Sequence, residues 1–278
     1  MLIEIRHVTT YRYGTPARYS IQSLRLTPPS FDGQDVLAWT ISAPGFEKHI
    51  EYRDGFGNIV HLSTMSGLHD GITIEASGIV ETEDRSGIVR GLTEVAPRRV
   101  FLRETERTAP DKGIRDLARS VSNGKVPKDV LDCMHALMRT VQDAVDYEIG
   151  ATHEHTTAAE ALADGKGVCQ DHAHVFISAA RLIGIPARYV NGYFLSGTLA
   201  PSEAAHAWAE VWIDGLGWVG FDPANGMCPT ERYVRLACGF DAGSASPIRG
   251  TQRGGENEAL DVKVEVEQQG GQQQQQQQ

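Results

Sequence analysis

Ile3 and Ile5, and further on Ile21, Leu24 and Leu26, recur in short apolar and polar runs interrupted by Pro28-Pro29, Pro44-Gly45 and Gly67. This near-alternation predicts an all-β region from Leu2 to about Ile79. Within it Tyr52–Val60 reads as a hairpin, with Asp54-Gly55 supplying the positive φ angles of a tight turn. Ile72, Ile74 and Ala76 begin a further strand. Between Glu83 and Ala109 the pattern dissolves into charged and Gly/Pro-containing sequence, which places a domain boundary near residue 100.

Beyond Pro110 the apolar spacing becomes helical. Ile114, Leu117 and Ala118 predict a short helix, and Val130, Leu131, Met134, Leu137, Met138, Val141 and Val145 a longer one opening near Pro127. Thr157-Ala-Ala-Glu160 has the spacing of a capping box and predicts a third to about Ala163. Gly165 and Gly167 then lead into a helix that stops at Gly184, so Cys169 falls at a helix N-terminus. Ala187–Phe194, Ala205–Ile213 and Trp218–Phe221 read as strands of an antiparallel sheet. Asp241 to Gly255 reads as loop, Leu260, Val262, Val264 and Val266 as a last strand, and residues 268–278 as a disordered Gln-rich tail. The expected class is α+β: a β-rich, sandwich-like domain over 1–100, a catalytic domain over 101–267, and the tail.

Composition narrows the function classes. Of 278 residues 41% are apolar, enough to bury a real core. The net charge of −10 shows no basic stripe, which excludes nucleic acid as an expected partner. No apolar run approaches the roughly 20 residues of a membrane helix, and the first apolar stretch already contains Glu4 and Arg6. A cytoplasmic protein without membrane association is expected. Cys133, Cys169, Cys228 and Cys238 are irregularly spaced and suggest neither a disulfide framework nor a zinc site. No phosphate loop, dinucleotide fingerprint or calcium loop is present, so no cofactor is expected.

Candidate chemistry centres on Cys169. A helix N-terminus favours a thiolate through its unpaired N–H groups, which also face an oxyanion. His206, opening an alternating strand among small residues, is the best base among the ten histidines. Asp222 ends the following strand, where an adjacent antiparallel pairing brings it to the imidazole.

The runs GVCQDHAH (167–174), IPARYVNGY (185–193), HAWAEVW (206–212) and GWVGFDP (217–223) together resemble the transglutaminase-like family, in its bacterial branch with a β-rich N-terminal region. That resemblance implies a papain-like core with Cys169 as nucleophile, His206 as acid/base and Asp222 as its partner. It also implies a second oxyanion donor, for which Tyr147, Gln170 and Trp208 are the candidates. The expected activity is that of a thiol-dependent hydrolase or acyltransferase on peptide or glutamine carboxamide bonds, through a thioester. Hydrolysis is slightly favoured over transglutaminase action. The rival from another class is a non-catalytic protein-binding module that retains the fold.

Blander readings stand beside these. Cys133, Cys228 and Cys238 read as inert core thiols. Asp222, preceding Pro223, has the setting of a turn former, and so does Asn225, which stays outside the catalytic set. His153, His155, Cys169, His172 and His174 offer His-x-His and Cys-x-x-His spacings, but an exposed loop for the first pair and a core position for His174 are preferred to a metal cluster. Trp212 reads as core.

Overall fold

The computed structural model describes residues 1–46, 50–93, 95–122, 126–196 and 205–269. The predicted tail beyond Gln269 lies outside them. The chain begins with β1 (Leu2–Leu24), β2 (Gln34–Ser42), β3 (Ile50–Arg53) and β4 (Ile59–Thr82), then β5 (Ile88–Val89). Two helices follow, α1 (Lys112–Ser122) and α2 (Val130–Ala144), then β6 (Asp146–Tyr147), α3 (Ala158–Asp164) and β7 (Lys166–Gly167). The central helix α4 (Cys169–Ile183) precedes β8 (Ala187–Phe194), β9 (Ala205–Ile213), β10 (Gly217–Phe221) and β11 (Tyr233–Gly239). The described chain ends with β12 (Ile248–Gly254) and β13 (Ala259–Gln268). This is the expected mixed fold, a β-rich region followed by helices and an antiparallel sheet.

The first sheet is built on two long strands, β1 and β4, paired antiparallel nearly throughout. β2 and β3 pair with opposite halves of β4. Ile3, Ile5, His7, Thr9 and Tyr13 of β1 point inward, but beyond the register shifts around Ala17 the inward set becomes Ser20, Gln22 and Leu24. A bulge inserts a residue and changes which parity faces the core, so Ile21, expected inside, is only half-buried. The Tyr52–Val60 hairpin forms, but its positive φ falls on Gly57 (+85°) rather than on Asp54-Gly55. Asp54 instead closes the turn by accepting the Phe56 and Asn58 amides at 2.9 and 3.1 Å.

β12 and β13 return to this first sheet and pair with β1, over 17–24 and 3–12 respectively. Residues 248–267, expected within the catalytic domain, therefore complete the N-terminal sheet. β12 occupies sequence expected to be loop: Arg249, Gly250, Thr251 and Arg253 are exposed, so the strand is held by backbone pairing without an apolar face to announce it.

The second sheet runs β11-β8-β9-β10-β5, antiparallel throughout. β11 escaped the period-two reading because all seven of its residues are buried, Arg235 included. Arg235 and Arg188 both grip the fully buried Glu210 carboxylate, at 2.9 and 2.5 Å, and Arg188 also stacks 4.0 Å over Trp218. On the other face the sheet packs against α4, which is buried almost all round and flanked by α1, α2 and α3 in one core. A second core joins the sheets: Tyr193, Val234 and Leu236 pack with Ile3, Ile5 and Ile74.

Candidate active site

α3 ends at Gly165, whose φ of +65° turns the chain into β7 and then into α4. The predicted capping box of α3 is present, with Thr157 Oγ1 accepting the Glu160 amide at 3.2 Å and Glu160 returning the bond at 2.8 Å. At the start of α4, Asp171 Oδ2 accepts the Val168 amide at 2.8 Å and the Thr152 hydroxyl at 2.6 Å. A Cβ on Gly167 would lie 2.6 Å from Asp171 Cβ, so this cap requires glycine there. The result is a half-buried Cys169 as the first residue of a rigid, buried helix.

β9 carries His206 and β10 ends just before Asp222. Their antiparallel register pairs Phe221 with Ala209, which draws Asp222 toward His206. His206 Nε2 lies 2.6 Å from Asp222 Oδ2, with His206 7% and Asp222 0% exposed. Nδ1 is thus the ring nitrogen left for the Cys169 thiol, which also hydrogen-bonds to His206. Burial alone would push the imidazole pKa down, but the Asp222 and Cys169 hydrogen bonds and the charges behind them outweigh it and hold His206 up at about 10. Asp222 is likewise opposed by burial, yet its donors hold it below the usual carboxylate range.

The structure therefore brings Cys169, His206 and Asp222 together. Asp222 also keeps its turn role: Oδ1 accepts the Ala224 and Asn225 amides at 3.0 and 3.2 Å while Oδ2 serves the histidine. Two residues outside the predicted set complete it. Asn225 Nδ2 and Tyr233 Oη each donate to Asp222 Oδ2 at 2.7 Å, and Asn225 Nδ2 lies 3.4 Å from His206 Nε2. Asn225 was visible three residues after Asp222 but is equally a turn residue by sequence, whereas Tyr233 arrives from β11 with no local signal. Phe194, Trp208 and Tyr233 surround the imidazole at ring distances of 5.3, 6.3 and 5.9 Å.

The other candidates separate clearly. His172 bridges the Val168 and Val145 carbonyls at 2.9 and 2.8 Å, and His174 is fully buried, accepting the Ala242 amide at 3.1 Å. Burial pushes His174 down to about 3. His153 and His155 are exposed on their loop. Among the described residues no group of three or more His, Cys, Asp or Glu side chains is arranged to hold a metal ion. Cys133 and Cys238 are buried, and burial raises Cys133 and lifts the half-buried Cys228 to about 11. Trp212 is half-buried, its indole N–H bonded to Asp214 at 2.9 Å and its ring under Arg98.

Beside Cys169 opens a cleft of about 550 Å³, whose walls include Gln170, Tyr189, Asn191, Arg107 and Arg249. Gln170 follows Cys169 and Asn191 pairs with Ala207, next to His206, so the cleft neighbours the trio although none of the three lines it. Of the three oxyanion candidates Gln170 lines this cleft. Trp208 is buried with Val190, Tyr233 and Cys238, and Tyr147 is exposed with its ring 6.1 Å from His172. A comparable hollow of about 620 Å³ near Asp32, Glu83 and Arg85 is lined neither by the trio nor by any residue next to one of its members.

A thiol heading a buried helix, opposed by a histidine–aspartate pair on an antiparallel sheet, defines a class of helix-on-sheet thiol folds. Within it, residues 115–223 match the transglutaminase-like superfamily and residues 3–81 the bacterial transglutaminase-like N-terminal region. A Mycobacterium leprae protein described as uncharacterized is 29% identical over 95% of this chain and 98% of its own. A protein-glutamine gamma-glutamyltransferase of Pseudomonas aeruginosa is 37% identical over 71 residues, which are 23% of this chain and 10% of that one. A Cytophaga hutchinsonii structure described as a candidate cysteine protease superposes with a TM-score of 0.74 at 22% identity, covering 96% of this chain and 90% of the other, so the fold is shared end to end. No helix among the described residues is long and apolar enough to cross a membrane.

Proposed function

We propose that the protein is a thiol-dependent hydrolase or acyltransferase acting on peptide or glutamine carboxamide bonds. The observation that carries this reading is the 2.6 Å contact of His206 Nε2 with Asp222, on a ring that also bonds the Cys169 thiol at the head of α4. His206 Nδ1 accepts the thiol proton, and the sulfur attacks the carboxamide carbon. The developing oxyanion meets the Cys169 backbone N–H and, as the cleft lining favours, the Gln170 side chain. The C–N bond then breaks as His206 returns its proton to the departing amine, leaving a thioester. Water or a second amine, deprotonated by His206, attacks that thioester and regenerates the thiol.

Hydrolysis is favoured, because the cleft is open and the residues described around it form no enclosed amine site that would exclude water. The segment shared with the Pseudomonas glutamyltransferase supports transfer to an amine as the second reading. Incubation with glutamine-containing peptides and a labelled primary amine separates them: ammonia or peptide release without label is expected, and stoichiometric incorporation would reverse the order. Cys169→Ala losing both, with the fold intact by circular dichroism, is expected. Retention of turnover in that variant would remove the thiol reading altogether.

A further inference from the structure

We infer that the cleft beside Cys169 selects acyl donors bearing a carboxylate, gripped by Arg249 and Arg107. This deepens the thiol reading above and rests on it. The cleft walls hold two cations and two acids, but their states differ. Asp241 turns its Oδ1 onto the Ser244 amide and hydroxyl, both at 2.9 Å, and Glu154 pairs with His155 at 2.9 Å. Arg107 donates from Nε to the Glu154 backbone carbonyl at 3.1 Å and lies 3.4 Å from the His155 ring, so it has no carboxylate partner among the described residues. Its guanidinium lies against the bare backbone of Gly243, where a Cβ would come within 2.1 Å of Nη1. Arg249 is exposed and makes no side-chain hydrogen bond or ion pair to any described residue.

Two guanidinium groups without an acid therefore flank a cleft on a chain of net charge −10. A planar fork matches a carboxylate bidentately, and its charge counters the field that would otherwise repel an anion. The carboxamides of Gln170 and Asn191 line the same cleft, have no side-chain hydrogen bond within the described protein and suit the amide groups of a peptide. The cleft thus fits a peptide acyl donor that bears a carboxylate. Arg249 enters on β12, from the first sheet, which makes the N-terminal unit a wall of the cleft.

The test is the labelling of Cys169 by two small electrophiles, N-chloroacetyl-glutamate and its uncharged bis-amide, in the full-length protein. The thiolate displaces chloride, forming a C–S bond as the C–Cl bond breaks, so no hydrolysis or transfer is required. Rates are read by peptide mass spectrometry and divided by those with free N-acetylcysteine. The anionic probe is expected to be preferred by about tenfold at low salt, and less at high salt. That ratio should fall in Arg249→Ala and drop below one in Arg249→Glu. A ratio identical in all three proteins, or a preference of the wild type for the uncharged probe, overturns the inference while leaving the thiol reading standing. Labelling of Cys169 no faster than Cys133 by either probe overturns the thiol reading and this inference with it.

Discussion

Replacing Tyr233 by Phe removes one hydroxyl from beside the buried Asp222 and nothing else. That hydroxyl is one of three donors on Asp222 Oδ2, at 2.7 Å. A hydrogen bond to a charged group contributes about 1.5–3 kcal/mol, and one pKa unit corresponds to about 1.4 kcal/mol. Loss of the donor therefore removes about 1.5–3 kcal/mol from the ionised carboxylate and raises the Asp222 pKa. Asn225, 2.7 Å from the same oxygen, remains, so the lower figure is expected. The sign follows from which form the phenol stabilises: it donates to the ionised carboxylate, so its removal lets Asp222 take up a proton at higher pH. Once Asp222 is neutral, the imidazolium loses its counter-charge and the thiol its activated partner. The assay is the second-order rate of Cys169 alkylation by iodoacetamide against pH, with Cys133 and Cys238 as internal references. In Tyr233→Phe the acid limb should move up by about one pH unit with the plateau little changed. A limb superimposable on the wild type, or one moved down, would refute the argument that Tyr233 acts through Asp222.

Glu210→Gln removes the acid from between two buried arginines, and a loss of about 3–5 kcal/mol in denaturant unfolding is expected; a change under 1 kcal/mol would show that water or another group compensates. Gly167→Ala forces a methyl onto Asp171 and should cost about 1–3 kcal/mol while slowing Cys169 alkylation, both absent if the loop simply relaxes. Burial lowers His7 to about 4 and His174 to about 3, so between pH 6.5 and 4 the unfolded chain binds protons that the folded one refuses. The contribution of these two rings should accordingly be full above about pH 6.5 and fall on acidification by up to roughly 1.4 kcal/mol per pH unit for each ring. His7→Gln should flatten that slope, and an unaltered slope would mean that His7 is protonated without cost.

The site was legible wherever its geometry is local. A glycine loop before a helical run is enough to set Cys169 at a helix start, and a tight β9–β10 hairpin is enough to bring Asp222 back to His206, because antiparallel register converts sequence spacing into distance. Tyr233 and Arg249 were not legible. Each reaches the site from a strand whose neighbours are distant in sequence, and neither strand alternates: β11 is buried on both faces, and β12 is largely exposed. The phase change in β1 was hidden for a related reason, since a bulge alters parity without altering composition. Asn225 shows the converse limit, a residue whose turn-forming sequence context was correct and incomplete at once.

The pairing of β1 with β12 and β13 bears on how the chain is made. β1 leaves the ribosome long before the strands that cover its outer edge, which follow more than two hundred residues later. Until then β4 protects one side, while the other presents a row of unpaired amides and carbonyls, the kind of edge that recruits foreign strands. Arg249 travels on one of those late strands, so the proposed anion grip and the closure of that edge arrive together. A nascent or truncated chain lacking these two strands would be sticky along that edge and, on the proposed grip, unselective as well.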